Sequence, residues 1–428
     1  MAKKFVIIGN SAAAVGAVES LRAIDSDAES WEIVLISDEP HHTYGRPLIS
    51  YLLFGKTDEE RMKFRPDDFY SANKITTMLG CTVTKIDASA KTVSWSKDSY
   101  SGELKYDKLL AAIGSVPFIP PMDGIDTVPL KTPFMKLDDA KLLQERVDAD
   151  TRVFIVGAGL IGLKCAEGIS KLTKHITVCD LASRILPSIL EAEPAEIMRN
   201  WIEGNGVRFM LGDTVSEFKG KTAVMKSGER VEFDVLVLAV GVRPNVALIK
   251  DAGGEVNRGI VTDQFCRTSL KDVYAAGDCS ESYDITSGQT KILALLPNAY
   301  AQGYVVGRHV AGLEDKPYDS AIPLNAIGFW GKHILSAGSY VGEKYEVFGK
   351  DGSYRLICRE DGLLKGFILI GGNDVHDHSA FDRAGIYTNL IKDRIPLDTL
   401  NFEEIKDRAS LKGFTAEARK RKLGGVER

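Results

Sequence analysis

The sequence predicts an α/β protein with two doubly wound, Rossmann-like parallel-sheet domains, one inserted into the other, followed by a smaller α+β domain. Three observations carry this expectation. A succession of apolar strand, glycine-rich turn, helix, second strand and terminal acid occurs twice, once around residue 9 and once around residue 157. The chain has 428 residues, more than one hydrophobic core usually organises. Beyond Ile322 the alternation of strand and helix gives way to short strands, AIGFWG, YRLICR and KGFILIG, which reads as α+β construction.

The first unit begins with KFVIIG over residues 4–9, a β-branched apolar run stopped by glycine, and continues as an alanine-rich helix from Ala12 to Ala23. At the junction, Gly9, Ser11 and Ala14 occupy the places of a Gly-x-Gly-x-x-Gly turn. Such a turn needs small residues so that the backbone can approach a pyrophosphate and the helix can pack close to the strand. Ser11 and Ala14 are small enough, although the match alone is weak. The next strand, EIVLIS at 32–37, ends in Asp38 and Glu39. Asp38 is the choice for the ribose-binding acid; a turn acid after a strand is an equally good account of it.

The second copy is unbroken. TRVFIV at 151–156 is a strand, and GAGLIG carries Gly157, Gly159, Leu160, Ile161 and Gly162. A helix continues over 163–172, and HITVC at 175–179 stops at Asp180. An acid here accepts hydrogen bonds from both ribose hydroxyls and repels a 2′-phosphate, which favours NAD(H) over NADP(H).

Composition excludes several classes. Hydrophobic residues make up 44% and charged residues 26%, an ordinary globular balance, and no apolar run is long enough to cross a bilayer. The start is too short in apolar residues for a signal-peptide core, so a cytoplasmic protein is expected. The formal charge of −5 disfavours a nucleic-acid surface. Six cysteines, at 81, 165, 179, 266, 279 and 358, form no C-x-x-C, and read as buried small hydrophobes in a reducing compartment. Neither His41-His42 nor His376-x-His378 with Asp374 and Asp377 has the spacing of a metal centre, and no metal is expected.

Further strands end in Ala112-Ile113-Gly114, in AVGVRPN at 239–245, and in VYAAGD at 273–278. With these residues the chain resembles the flavoproteins of the pyridine nucleotide-disulfide oxidoreductase superfamily over roughly residues 4–395. HHTYGRPLISYLLFGK, at 41–56, is similar to NADH:rubredoxin and NADH:ferredoxin reductases, and closer still to the flavin subunits of anaerobic iron-sulfur enzymes such as phenylglyoxylate and carbon monoxide dehydrogenases. The resemblance implies FAD at Gly9, Ser11, Ala14, Asp38, Arg46, Pro47, Ala112 and Gly114, with Gly277-Asp278 at the ribityl chain and Pro297, Asn298 and Gln302 beside the isoalloxazine. It implies NADH at Gly157, Gly159, Leu160, Ile161, Gly162, Asp180 and Gly241. It also implies an FAD-binding domain at 1–115 and 242–320, an NADH-binding domain at 116–241, a C-terminal domain at 321–395 that forms a dimer interface in relatives, and an added tail at 396–428.

Two departures from that family shape the expected mechanism. Disulfide reductases carry a redox-active cysteine under the flavin, and the matching segment here, Thr43 to Ser50, has none. Thiol-disulfide exchange needs a thiolate, so electron transfer by the flavin alone is expected, between NADH and an iron-sulfur protein or subunit of ferredoxin or rubredoxin type. The chain would then act as a homodimer or as a subunit of a larger complex; an NADH oxidase and a non-catalytic flavoprotein subunit are the alternatives. The second departure is Lys164, where many relatives have a glutamate paired with a lysine near flavin N5; the opposing position here is near Ser50. Lys164 reads either as an exposed helix lysine or as a catalytic cation at the flavin edge. The tail carries Lys412, Arg419, Lys420, Arg421, Lys422 and Arg428 against Glu417 and Glu427, a solvated terminus or a basic dock for an acidic partner.

Overall fold

The computed structural model of the chain describes residues 2–314, 316–376, 383–408 and 413. Four strands open the first sheet: β1 (Lys3–Ile8), β2 (Trp31–Ser37), β3 (Ile75–Leu79) and β4 (Lys108–Ala111). The next five, β5 (Lys131–Thr132), β6 (Val153–Val156), β7 (Ile176–Asp180), β8 (Val207–Leu211) and β9 (Val235–Leu238), make a second sheet. The chain then returns as β10 (Val273–Ala275) to the first sheet, whose order is β10-β4-β1-β2-β3; the second runs β8-β7-β6-β9-β5. Every pairing in both is parallel. Parallel sheets are covered on both faces, which is why Phe5, Val6 and Ile7 and likewise Phe154 and Ile155 are wholly buried. The strands on either side of the second sheet, Ser115–Pro117 and Val242–Pro244, pair antiparallel, so the two crossings between the sheets form one ribbon.

Helix α1 (Ala12–Arg22) follows β1, and α2 (Ile49–Leu53) follows the Arg46-Pro47 turn. In the second unit α3 (Leu160–Ile169) and α4 (Ala192–Gly204) cover the sheet. Helix α5 (Leu296–Val310) lies against α1 at a distance that only glycine permits: a Cβ on Gly303 would sit 1.9 Å from the Ala13 carbonyl oxygen.

A third, antiparallel sheet contains β11 (Leu324–Phe329), β12 (Lys332–Gly338), β13 (Glu343–Phe348), β14 (Tyr354–Glu360) and β15 (Leu363–Ile370), in the order β11-β12-β15-β14-β13. Helix α6 (Ala384–Lys392) packs on it, and the α+β expectation holds. The start of the expected tail behaves differently. Residues Leu397–Thr399 form a 3₁₀ turn and α7 spans Phe402–Arg408, with Phe402 and Ile405 in the core of this third unit. Burial of such side chains contributes about 1.5–3 kcal/mol each, and the Tyr387 hydroxyl adds a hydrogen bond to the Ile405 carbonyl at 3.1 Å. The basic cluster beyond Leu411, and His378 with Asp377, lie outside the described residues. No helix among those described is long and apolar enough to cross a membrane.

Candidate functional site

The second glycine turn shows a separate physical reason for each glycine. Gly157 has φ +120°, and a Cβ there would meet the Ala239 carbonyl oxygen at 2.2 Å. Gly162 would place a Cβ 1.9 Å from the Gly157 carbonyl oxygen, so it sets how closely α3 approaches the strand. Gly159 has no heavy atom within 4 Å of its Cβ position: it faces open space at the N-cap of α3. Leu160 and Ile161 begin the helix there, where the first-turn N–H groups lack intrahelical partners and favour an anion. Asp180, at the end of β7, accepts the Ala158 N–H at 2.7 Å and the Ala182 N–H at 2.8 Å. The acid therefore braces the turn. Gly241, at φ +120°, likewise has nothing within 4 Å.

The first turn is built similarly with fewer glycines. Gly9 has φ +111°, and its Cβ would lie 2.1 Å from the Ala112 carbonyl oxygen. Ser11 is the N-cap of α1 and its hydroxyl makes no capping bond, while Ala14 is wholly buried. Gly114 and Gly277 also have positive φ at strand ends. The carboxyl ends of β1, β4 and β10 thus bring Gly9, Ala112, Gly114, Gly277 and Asp278 to one edge of the sheet, as the carboxyl ends of the second sheet gather its own glycines and acid. Ligand crevices of open α/β sheets lie at such edges.

The acids after β2 depart from the expected assignment. Asp38 is exposed and paired with Lys136 at 2.7 Å, whereas Glu39 is 8% exposed and turned inward. Glu39 accepts from Arg46 Nη2 at 2.6 Å and from the Tyr44 hydroxyl at 2.7 Å, and Arg46 Nη1 donates to the Met135 carbonyl at 3.1 Å. Two adjacent acids cannot be told apart by strand counting when the turn after the strand decides which points in. Pro47, next to Arg46, is exposed. Burial pushes the Asp278 carboxyl above the ordinary range, and the nearby Ser115 hydroxyl, 3.4 Å away, and the Arg46 guanidinium work against that rise.

Asn298 and Gln302 also differ from expectation. Their amides are spent inside the protein: Gln302 Oε1 accepts the Gly277 N–H at 2.7 Å, its Nε2 donates to Ser282 Oγ at 2.8 Å, and Asn298 Nδ2 donates to the Ile322 carbonyl at 3.2 Å. Gln302 holds the Gly277-Asp278 loop in shape, while Asn298 ties α5 to the segment that enters the third unit. Pro297, in the first turn of α5, is exposed.

Lys164 is not the exposed helix lysine of one sequence reading. Its ammonium pairs with Glu167, donates to the Gly328 carbonyl at 3.0 Å and lies 4.5 Å from the Tyr51 ring centroid. Burial lowers its pKa, and Glu167 opposes that shift. Glu167, 2% exposed, also accepts the Trp330 N–H at 2.8 Å, tying α3 to the turn after β11. The partner is therefore not on the segment near Ser50 but one helical turn away on α3, an i,i+3 spacing that the sequence itself carries.

All six cysteines are buried and unpaired. Burial pushes the thiols of Cys179 and Cys279 up to about 12, that of Cys358 to about 11, and those of Cys165 and Cys266 upward as well.

A family model described as pyridine nucleotide-disulphide oxidoreductase matches residues 3–303. The chain belongs to that family. It is 32% identical over 86% of its length to the NAD(P)H nitrite reductase of Bacillus subtilis (strain 168), of which it spans 46%. It is 30% identical to the NADH-dependent phenylglyoxylate dehydrogenase subunit epsilon of Aromatoleum evansii, with 93% of each chain covered. In fold it is similar to the solved covalent complex of putidaredoxin reductase with putidaredoxin, with a TM-score of 0.83 over 95% of this chain and 99% of that one at 23% identity. That solved structure thus shares the fold found here.

Proposed function

We propose that the protein is an FAD-dependent oxidoreductase that exchanges a hydride with NAD(H) and single electrons with an iron-sulfur protein or subunit, without a redox-active disulfide. The observation that carries the reading is the pairing of two dinucleotide-shaped glycine turns with a Thr43–Ser50 segment that has no cysteine, in a chain whose thiols are all buried. Similarity to proteins named rubredoxin-NAD(+) reductase and ferredoxin-NAD(+) reductase component supports an iron-sulfur partner.

The residues fit the two groups. FAD would lie across the first turn, with Gly9, Ser11 and Ala14 at its pyrophosphate, Glu39 rather than Asp38 nearest its ribose, Arg46 and Pro47 under its ring system, and Ala112, Gly114, Gly277 and Asp278 along its length. NADH would lie across the second, with Gly159, Leu160 and Ile161 at the pyrophosphate and Asp180 at the adenosine ribose. When bound, FAD supplies the change between two-electron hydride chemistry and one-electron transfer. The chain's own part is to bind, to orient and to set the field. Arg46, clamped by Glu39, offers a fixed positive charge; Asp278 offers acceptors; Lys164, ion-paired with Glu167, offers an ammonium that would favour the reduced form.

Anaerobic titration of the FAD-loaded protein with NADH tests this: the yellow absorbance should bleach, with NADPH far less effective, and reduction of a dye should outrun oxygen consumption. A flavin that NADH leaves oxidised excludes the reading; turnover with oxygen as fast as with dyes makes it an NADH oxidase.

A further inference from the structure

We propose that the seam between α2 and α3 is the docking face for the protein electron acceptor, a small acidic iron-sulfur protein; this rests on the functional reading above. Cations and aromatic rings alternate along the seam. Lys164 lies 4.5 Å from the Tyr51 centroid, Lys56 lies 5.5 Å from Tyr51 and 4.7 Å from Phe54, and Lys171 lies 4.5 Å from Phe54. Gly168 of α3, between Lys164 and Lys171 in sequence, is what lets α2 come so close: its Cβ position is 3.1 Å from the Ser50 carbonyl oxygen and 3.2 Å from Leu53.

Lys164 is the buried end of this row and is neutralised by Glu167, but Lys56 and Lys171 are exposed and make no ion pair among the described residues. The neighbouring acids do not cancel them, because Asp58, Glu59 and Glu60 are taken up by Arg61, Lys141 and Lys63. On a chain of net charge −5, two uncompensated ammonium groups held over half-exposed rings are a local reversal of sign. Acidic proteins are repelled by the molecule as a whole and attracted here, which gives orientation as well as affinity. The rings supply an apolar centre with charge around it, and they pre-order the lysines, so less side-chain freedom is lost on binding. The position also suits electron transfer, since α2 leaves directly from the Arg46-Pro47 turn.

The experiment compares the FAD-loaded protein with the Lys56→Glu/Lys171→Glu variant, both sites being exposed and outside the cofactor cradles, and with the milder Lys56→Gln/Lys171→Gln variant. Equilibrium binding of an acidic rubredoxin and of an acidic two-iron ferredoxin is measured at low and high salt, and NADH-to-menadione turnover is measured separately. At low salt, binding of at least one acceptor should weaken about tenfold or more in the glutamate variant and less in the glutamine variant, and the difference should shrink at high salt. Menadione turnover should be unchanged. Equal affinity in all three proteins, or no binding of either acceptor to the unmodified protein, overturns the proposal. Failure to reduce menadione in the unmodified protein speaks against the oxidoreductase reading alone, because the binding comparison does not depend on turnover.

Discussion

Lys164 and Glu167 form an ion pair one turn apart on α3, and the glutamate's second oxygen reaches the Trp330 backbone N–H of the third unit at 2.8 Å. Removing one member of a buried pair leaves the other charge uncompensated, which typically costs about 3–5 kcal/mol. Glu167→Gln and Lys164→Met should therefore each lower stability by an amount of that order, since each leaves a buried charge without its partner. If Lys164 acts on the flavin, Lys164→Met should also lower the flavin midpoint potential. Denaturant titration and a redox titration of both variants check this; an unaltered potential leaves the pair with a structural role only.

The glycines of the second turn should respond differently to one methyl group. Gly162→Ala meets backbone at 1.9 Å and should destabilise the fold, whereas Gly159→Ala enters open space and should leave the melting temperature nearly unchanged while raising the KM for NADH. Thermal melts beside NADH kinetics separate the two effects.

Asp180 should set nucleotide choice and also brace its own turn. Hydrogen bonds to a charged group are worth about 1.5–3 kcal/mol, so Asp180→Ala should raise the KM for NADH by about 10- to 100-fold while that for NADPH changes less. Initial rates with both nucleotides test this. Equal rates with NADH and NADPH in the unmodified protein would contradict the assignment.

Thiol chemistry should be dispensable. With every cysteine buried and out of reach of solvent, iodoacetamide should label the native protein hardly at all, and NADH-to-dye turnover should stay within about a factor of two. Rapid labelling accompanied by lost turnover would implicate a thiol.

A pH effect is expected at Glu19. It accepts from Arg65 and, at 2.7 Å, from the Tyr300 hydroxyl, joining α1, α5 and the loop after α2. The Arg65 hydrogen bond, ahead of an opposing burial effect, lowers its pKa. A depressed carboxyl pKa stabilises the fold above the ordinary glutamate value, and the contribution is lost as pH falls through the folded pKa. For a partly solvated pair this amounts to about 1 kcal/mol. Glu19→Gln should thus be less stable at pH 7 and equal to the unmodified protein in acid, as urea midpoints across pH would show.

How much of this was legible varied with the distance over which the deciding force acts. The two strand-turn-helix units were read from the sequence because glycine placement and strand composition are local: β1, β2, β6 and β7 were located to within a residue or two. Which of Asp38 and Glu39 turns inward depends on Arg46 and Tyr44, and neither contact leaves a trace in spacing. The resemblance sets Asn298 and Gln302 beside the isoalloxazine, yet the Ile322 carbonyl and the Gly277 N–H engage their amides, contacts that spacing does not reveal. Residues 397–405, expected to open an added tail, instead bury Leu397, Phe402 and Ile405 against the third unit, a long-range contact that local sequence does not reveal.

The order of strands also governs how the nascent chain can fold. The second sheet draws only on residues 131–238, so all its partners leave the ribosome together. The first sheet must wait for Val273–Ala275, and α1 must wait for α5, whose Gly303 completes the packing begun at Ala13. Synthesis therefore produces a finished inner unit while the outer one is still open, with the apolar face of α1 uncovered until about residue 310 has emerged. A nascent chain stalled near residue 250 should be protease-resistant in its middle and sensitive at its beginning, and in that interval the outer unit would depend on chaperones.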